Sequence, residues 1–179
     1  MLNRRELFHS LLNYGKQKDE SLFVLPPYNF NRSLFYKFCE DCQKDCIDAC
    51  NRVCKEGIIK SNGKSVYVDF GVDGCKLCGE CAIVCPNGVL EIKEEEDWRK
   101  RANWNVAIVI KEDLCIAHQK TMCYTCKDIC QSVLGISNAI EFIGLFYPKI
   151  NQECIGCGMC IKSCPTNAIG IMERKKEDV

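Results

Sequence analysis

Seventeen cysteines fall into four groups along this chain. Two groups follow C-x2-C-x2-C-x3-C-P without departure: Cys75, Cys78, Cys81 and Cys85 before Pro86, and Cys154, Cys157, Cys160 and Cys164 before Pro165. Three cysteines, each two residues apart, let one tight loop wrap three corners of a [4Fe–4S] cube, while the fourth cysteine reaches a second cube. Thiolates are the soft ligands such a cluster requires. Small residues help the backbone approach the sulfides, and Gly79, Gly156 and Gly158 sit inside these runs. The fourth cysteine is expected to open a short helix, and the proline after it lacks an N–H that the first helical turn does not use.

The other two groups are irregular. In the third, Cys115 precedes Cys123 by eight residues, Cys126 and Cys130 follow at ordinary spacing, and Gln131 stands where proline is expected. A longer loop adds little closure entropy, so this group also suits a cube. His118 lies in the insertion and is expected to be a solvated loop residue. The first group has five thiols for four corners: Cys39, Cys42, Cys46, Cys50 and Cys54. Spacings of four place Cys46, Cys50 and Cys54 on one helical face. The expected ligands are Cys39, Cys42, Cys46 and Cys50, with Cys54 spare or substituting.

Composition excludes other readings. An odd cysteine number in C-x-x-C groups argues against a disulfide scaffold. Zinc prefers separated ligand pairs, not a triplet plus one. The 24 basic and 24 acidic residues balance, so no basic field is offered to nucleic acid. Four oxidised cubes in thiolate cages bring about −8 of charge, so loaded and empty chains present different surfaces. Arg4-Arg5 resembles the start of an export signal, but Asn13 to Glu20 is polar where an apolar stretch is required. The region reads instead as an amphipathic helix with Leu7, Phe8, Leu11 and Leu12 on one face. No apolar run reaches membrane-spanning length, and the expected location is cytoplasmic. There is no Gly-rich phosphate loop and no Cys/His dyad with an orienting acid, so an enzyme is not expected.

The expected fold class is α+β, with two ferredoxin-like halves of short antiparallel strands and short helices around [4Fe–4S] clusters. An N-terminal helix and an extended, aromatic-rich arm occupy 1–38, because Pro26 and Pro27 forbid regular helix. The arm's aromatics, Phe23, Tyr28, Phe30, Phe35 and Tyr36, are expected to pack over the first cluster, with a docking surface as the alternative. The halves span 39–96 and 97–179, divided by the charged stretch Glu94 to Arg101. Strands are predicted at 65–70, 89–92, 106–110, 140–143 and 168–171, with a turn at Asn62-Gly63. Group-to-group gaps of 21, 30 and 24 residues suit pairing of the first group with the second and the third with the fourth, with a nested pairing as the alternative.

At these residues the chain resembles the NapF-type ferredoxins, accessory proteins of the periplasmic nitrate reductase system. The likeness runs from about Asn3 to Ile171. It includes Arg4-Arg5, the Cys46-Ile47-Asp48-Ala49-Cys50 run, the stretched group opening Cys115-Ile116-Ala117-His118-Gln119, and the ending Cys164-Pro165-Thr166-Asn167-Ala168-Ile169. The departure is the first group, with its extra residue and extra cysteine. The resemblance implies a cytoplasmic protein with four [4Fe–4S] clusters. It also implies a partner, the catalytic subunit of periplasmic nitrate reductase, whose maturation the protein assists before export by cluster loading or reduction. An electron carrier between a donor and a quinol or other redox partner is the alternative.

Anaerobically purified protein is expected to carry about sixteen irons per chain with matching labile sulfide, and a broad violet absorption that bleaches on reduction. Metal analysis returning zinc without sulfide contradicts this.

Overall fold

In a computed structural model, residues 22–40, 44–94 and 102–174 are described, the side chains of residues 40 and 44–48 excepted. The expected N-terminal helix and most of the charged divider lie outside these residues. So do the side chains of Cys42 and Cys46.

The arm enters as extended chain from Leu22, and two prolines leave it short of donors. Its neighbours supply them. Val68 N–H donates to Val24 O (2.8 Å) and Glu91 N–H to Tyr28 O (2.9 Å). Asn105 holds the arm with both ends of its amide: Oδ1 accepts from Leu25 N–H (2.9 Å), and Nδ2 donates to Phe23 O (2.8 Å). The arm is extended only to Asn31. Helix α1 (Arg32–Glu40) begins there, because Asn31 Oδ1 accepts from Leu34 N–H at 3.0 Å and caps it. Thus Phe35, read from sequence as part of the extended arm, is a buried helix residue, and so is Cys39.

Helix α2 (Lys44–Val53) follows, then a hairpin of β1 (Ile59–Ser61) and β2 (Val66–Val68). Asn62 closes the turn, its Oδ1 accepting from Lys64 and Ser65 N–H, with Gly63 at φ 86°. Helix α3 (Glu80–Ile83) carries the second cysteine group. Strand β3 (Val106–Ile110) leads to α4 (Thr125–Leu134), the hairpin β4 (Ile140–Ile143) and β5 (Tyr147–Ile150), helix α5 (Met159–Ser163) and β6 (Ile169–Glu173). β6 returns antiparallel to β3, Ile110 facing Ile169 and Val106 facing Glu173. The fold is therefore mixed, with short helices and two-stranded antiparallel sheets.

Four of the five predicted strands appear. The stretch 89–92 forms none among the described residues. Val89 and Leu90 are buried as a strand would bury them, but the backbone beside them is the arm, where Pro26 and Pro27 have no N–H for a ladder. Strands β1 and β5 were not foreseen, being short and carrying lysine or proline.

Among the described residues, apolar packing forms three clusters. The first joins the arm, α1 and β2 to Trp104 and Val106, with Ile161 and Ile171 at its margin. The second lies under Ile108, Ile140 and Ile169, and the third around Leu134, Ile136 and Met159. Residues before and after the charged divider thus share one core.

Gly158 has φ 76°, and an added Cβ there meets the Phe70 ring, whereas Gly57, at φ 64°, faces open space. Gly57→Ala is expected to cost about 1 kcal/mol from backbone strain alone. Gly158→Ala is expected to cost roughly 1–3 kcal/mol more from overpacking. Thermal midpoints of the two variants check the difference.

Candidate metal centres

The loops of the two regular groups take the same path for the same reason. The residue before the second cysteine is left-handed in each, Leu77 at φ 56° and Gly156 at φ 75°. The residue after it is a left-handed glycine, Gly79 at φ 82° or Gly158 at φ 76°, which starts the short helix. This geometry turns amides toward sulfur: Leu77 N–H lies 3.4 Å from Cys75 Sγ. The third cysteine, Cys81 or Cys160, stands inside the helix. The fourth, Cys85 or Cys164, lies just past its end rather than opening it, and proline follows where the helix cannot continue. Beyond Cys164, Asn167 is left-handed at φ 53° and Ala168 N–H donates to Cys164 Sγ at 3.3 Å.

Cys115, Cys123 and Cys126 line one cavity, and the fourth cysteine lining it is Cys164, from the next group. The exchange is reciprocal. Cys130, in α4, faces Cys154, which raises its pKa beyond the larger effect of burial. Cys157 feels both Cys154 and Cys130.

The first two groups repeat this exchange with one change. Cys75, Cys78 and Cys81 line a cavity with Cys54, the thiol read from sequence as spare or substituting. Cys50 points elsewhere, its titration coupled to Cys85 and Cys39. Helix α2 ends at Val53, so the turn after it directs Cys54, and the two thiols face different sites. An ion pair between Lys76 Nζ and Glu56 (2.6 Å) ties the segment after Cys54 to the Cys75 loop.

Burial dominates the electrostatics. It pushes Cys50, Cys75 and Cys157 up to about 12 and Cys126 to about 11, with neighbouring thiols adding to the rise. Cys81 and Cys160 rise further for the same reasons. Backbone amides oppose this, that of Leu77 at Cys75 and that of Met159 at Cys157. An empty chain therefore buries neutral thiols, and loading must displace their protons. Tyr28, lining the Cys54 cavity, has its hydroxyl pKa raised by burial and then by Cys75, Cys81 and Cys78.

Among the described residues no three His, Cys, Asp or Glu side chains converge on a single ion. Thiols that share a cavity without converging on a point suit a cube, whose iron corners are spread apart. The amide donors toward sulfur and the glycine approach fit the same group. So does Trp104 Nε1, buried and without a partner.

Sequence reasoning misplaced two further residues. His118 is not a solvated loop side chain: its side chain is 15% exposed, Nδ1 lies 3.9 Å from Glu112, and the ring meets Tyr147 edge-on at 5.5 Å. Trp104 was not singled out, since nothing in the pattern Asn103-Trp104-Asn105 announces a cluster neighbour. Of the arm aromatics, Tyr28 and Phe35 are buried and Tyr36 is exposed. Phe30 carries Lys93 Nζ 4.2 Å over its ring.

A family profile described as the 4Fe-4S binding domain matches residues 147–170. The chain is 30% identical to the ferredoxin-type protein NapF of Escherichia coli K12, over 87% of this chain and 88% of that one. It is 27% identical to the ferredoxin-type protein NapF of Haemophilus influenzae, over 92% and 87%. To the polyferredoxin protein MvhB of Methanothermus fervidus it is 29% identical, over 74% of this chain and 31% of that one. These likenesses support [4Fe–4S] clusters as the cofactor and electron transfer or maturation as the kind of role. Among the described residues no helix is long and apolar enough to cross a membrane.

Proposed function

Because the chain belongs to the NapF family of ferredoxin-type proteins, we propose that it is a cytoplasmic iron–sulfur protein assisting maturation of the catalytic subunit of periplasmic nitrate reductase before export, by cluster loading or reduction. It is not itself an enzyme. It carries four [4Fe–4S] clusters in two ferredoxin-like halves, 39–96 and 97–179, behind an N-terminal segment, 1–38, of helix and arm. The observation that carries this reading is the pair of cavities, each lined by three cysteines of one group and a fourth from its neighbour.

Those cavities support two ligand sets, and the mutual influence of the remaining thiols supports the other two. One cluster takes Cys115, Cys123, Cys126 and Cys164. A second takes Cys154, Cys157, Cys160 and Cys130. A third takes Cys75, Cys78, Cys81 and Cys54. The remaining one takes Cys39, Cys50 and Cys85, with Cys42 or Cys46 completing it. A site with more thiols than corners can exchange a ligand without losing its cluster, and that suits hand-over to an acceptor.

One observation favours the second reading, a carrier of single electrons between a donor and a quinol or other redox partner. Cys75 N–H donates to Cys157 O at 2.7 Å. That contact sets two cluster loops from different halves against each other, as a continuous electron path requires.

Cys54→Ser is expected to lower iron by about one to four atoms per chain and to add a [3Fe–4S] signal to the electron paramagnetic resonance spectrum of oxidised protein. A spare thiol predicts no change in either. Loaded protein incubated with the apo catalytic subunit and an iron chelator is expected to leave a cluster on the acceptor. Reduction of a pre-loaded acceptor without any transfer to the apo form supports the carrier reading instead.

A further inference from the structure

Trp104 stands just before β3, is 1% exposed, and belongs to the core that includes Phe70, Cys75 and Cys81. Its ring tilts against Phe70 with centroids 5.3 Å apart. Its Nε1 is fully enclosed and has no hydrogen-bond acceptor among the described residues. Leaving a buried donor unmet costs about 1–3 kcal/mol, and such orphans call for an unseen acceptor.

The contact with Gly156 shows which loop the indole rests on. A Cβ built on Gly156 falls 2.8 Å from Trp104 Cδ1 and 3.2 Å from Cγ. Cδ1 is the carbon bonded to Nε1, so the pyrrole edge of the indole is seated on the loop between Cys154 and Cys157. Glycine at this position is required twice, for φ 75° and for the room the indole takes. The side-chain acceptors of that loop are the sulfurs of Cys154 and Cys157, and Cys130 lies close enough to act on Cys157.

We propose that the Trp104 indole N–H is a hydrogen-bond donor to the sulfur of the cluster held by Cys154, Cys157, Cys160 and Cys130, and that it sets that cluster's reduction potential. The inference rests on the four-cluster reading above. Reduction adds one electron, taking the core from +2 to +1 with no bond broken and no proton moved. A hydrogen bond to an anion strengthens as negative charge grows, so the donor favours the reduced form and raises the potential. Trp104 is thus a positioning and tuning residue, not a ligand.

The test uses the full chain loaded with clusters, its two tryptophans labelled with 15N in the indole ring. Poised by dithionite, the reduced protein is expected to show 15N hyperfine coupling to one cluster. Trp98→Phe retains the coupling and Trp104→Phe abolishes it. In a mediated redox titration, Trp104→Phe is expected to lower one midpoint, making reduction about tenfold less favourable at fixed potential, or about 59 mV for one electron, at unchanged iron content. If Trp104→Phe does not fold, the labelled unsubstituted chain still decides: clusters present without 15N coupling overturn the proposal. Unchanged midpoints in a folded, fully loaded Trp104→Phe protein overturn it as well. A chain that holds no [4Fe–4S] cluster overturns instead the reading on which it rests.

Discussion

Two cysteine loops meet back to back in this molecule, joined by the amide of Cys75 and the carbonyl of Cys157 at 2.7 Å. The approach leaves no space for side chains. An added Cβ at Gly74 meets the backbone and sulfur of Met159, one at Gly158 meets Phe70, and one at Gly156 meets Trp104. The segments around this seam are set by it: the Phe70 turn after β2, the Trp104 entry to β3 and the start of α5. The first hydrophobic core runs across it, and that core joins the two parts of the chain.

Burial of sulfur is the second constraint. Thiols at Cys81, Cys157 and Cys160 sit where apolar residues belong, and burial holds them neutral in the empty chain. Inside a low-dielectric site a thiolate is tolerated only beside a cation or several donors. The protein supplies donors one amide at a time, at Leu77 and Ala168 for example, and iron supplies the positive charge. The left-handed residues that aim those amides cost conformational energy, which the finished site offsets.

Much of the site is legible in the sequence. The triplets declare themselves because three ligands within seven residues form a local structure, dictated by chain reach and two glycine conformations. Gap lengths suited pairing of the first group with the second and the third with the fourth but left a nested pairing open, and the cavities bring Cys54 to the second group and Cys164 to the third. The strands of β3, β4 and β6 were legible from β-branched alternation. The 89–92 stretch has the same alternation and forms no strand, because its neighbour is the proline arm. Phe35 was read as part of an extended arm because nothing in the sequence pattern revealed that Asn31 would cap a helix. His118 looked like solvent-exposed loop because the strand whose Tyr147 meets its ring carries Pro148 and was not foreseen.

Cys50 and Cys54 mark the division most sharply. By itself the sequence determined the cofactor class, the number of cysteine groups and the family, because ligand spacing and soft-metal preference are local chemistry. It could not say which of two thiols four residues apart turns toward the Cys75 loop. Helical periodicity puts them on one face, but α2 ends at Val53, and past that point direction comes from a turn braced by Lys76 and Glu56. The fourth thiol at each cavity comes from another group, twenty or more residues along the chain. Its position is decided by how loops pack, and only tertiary structure holds that information.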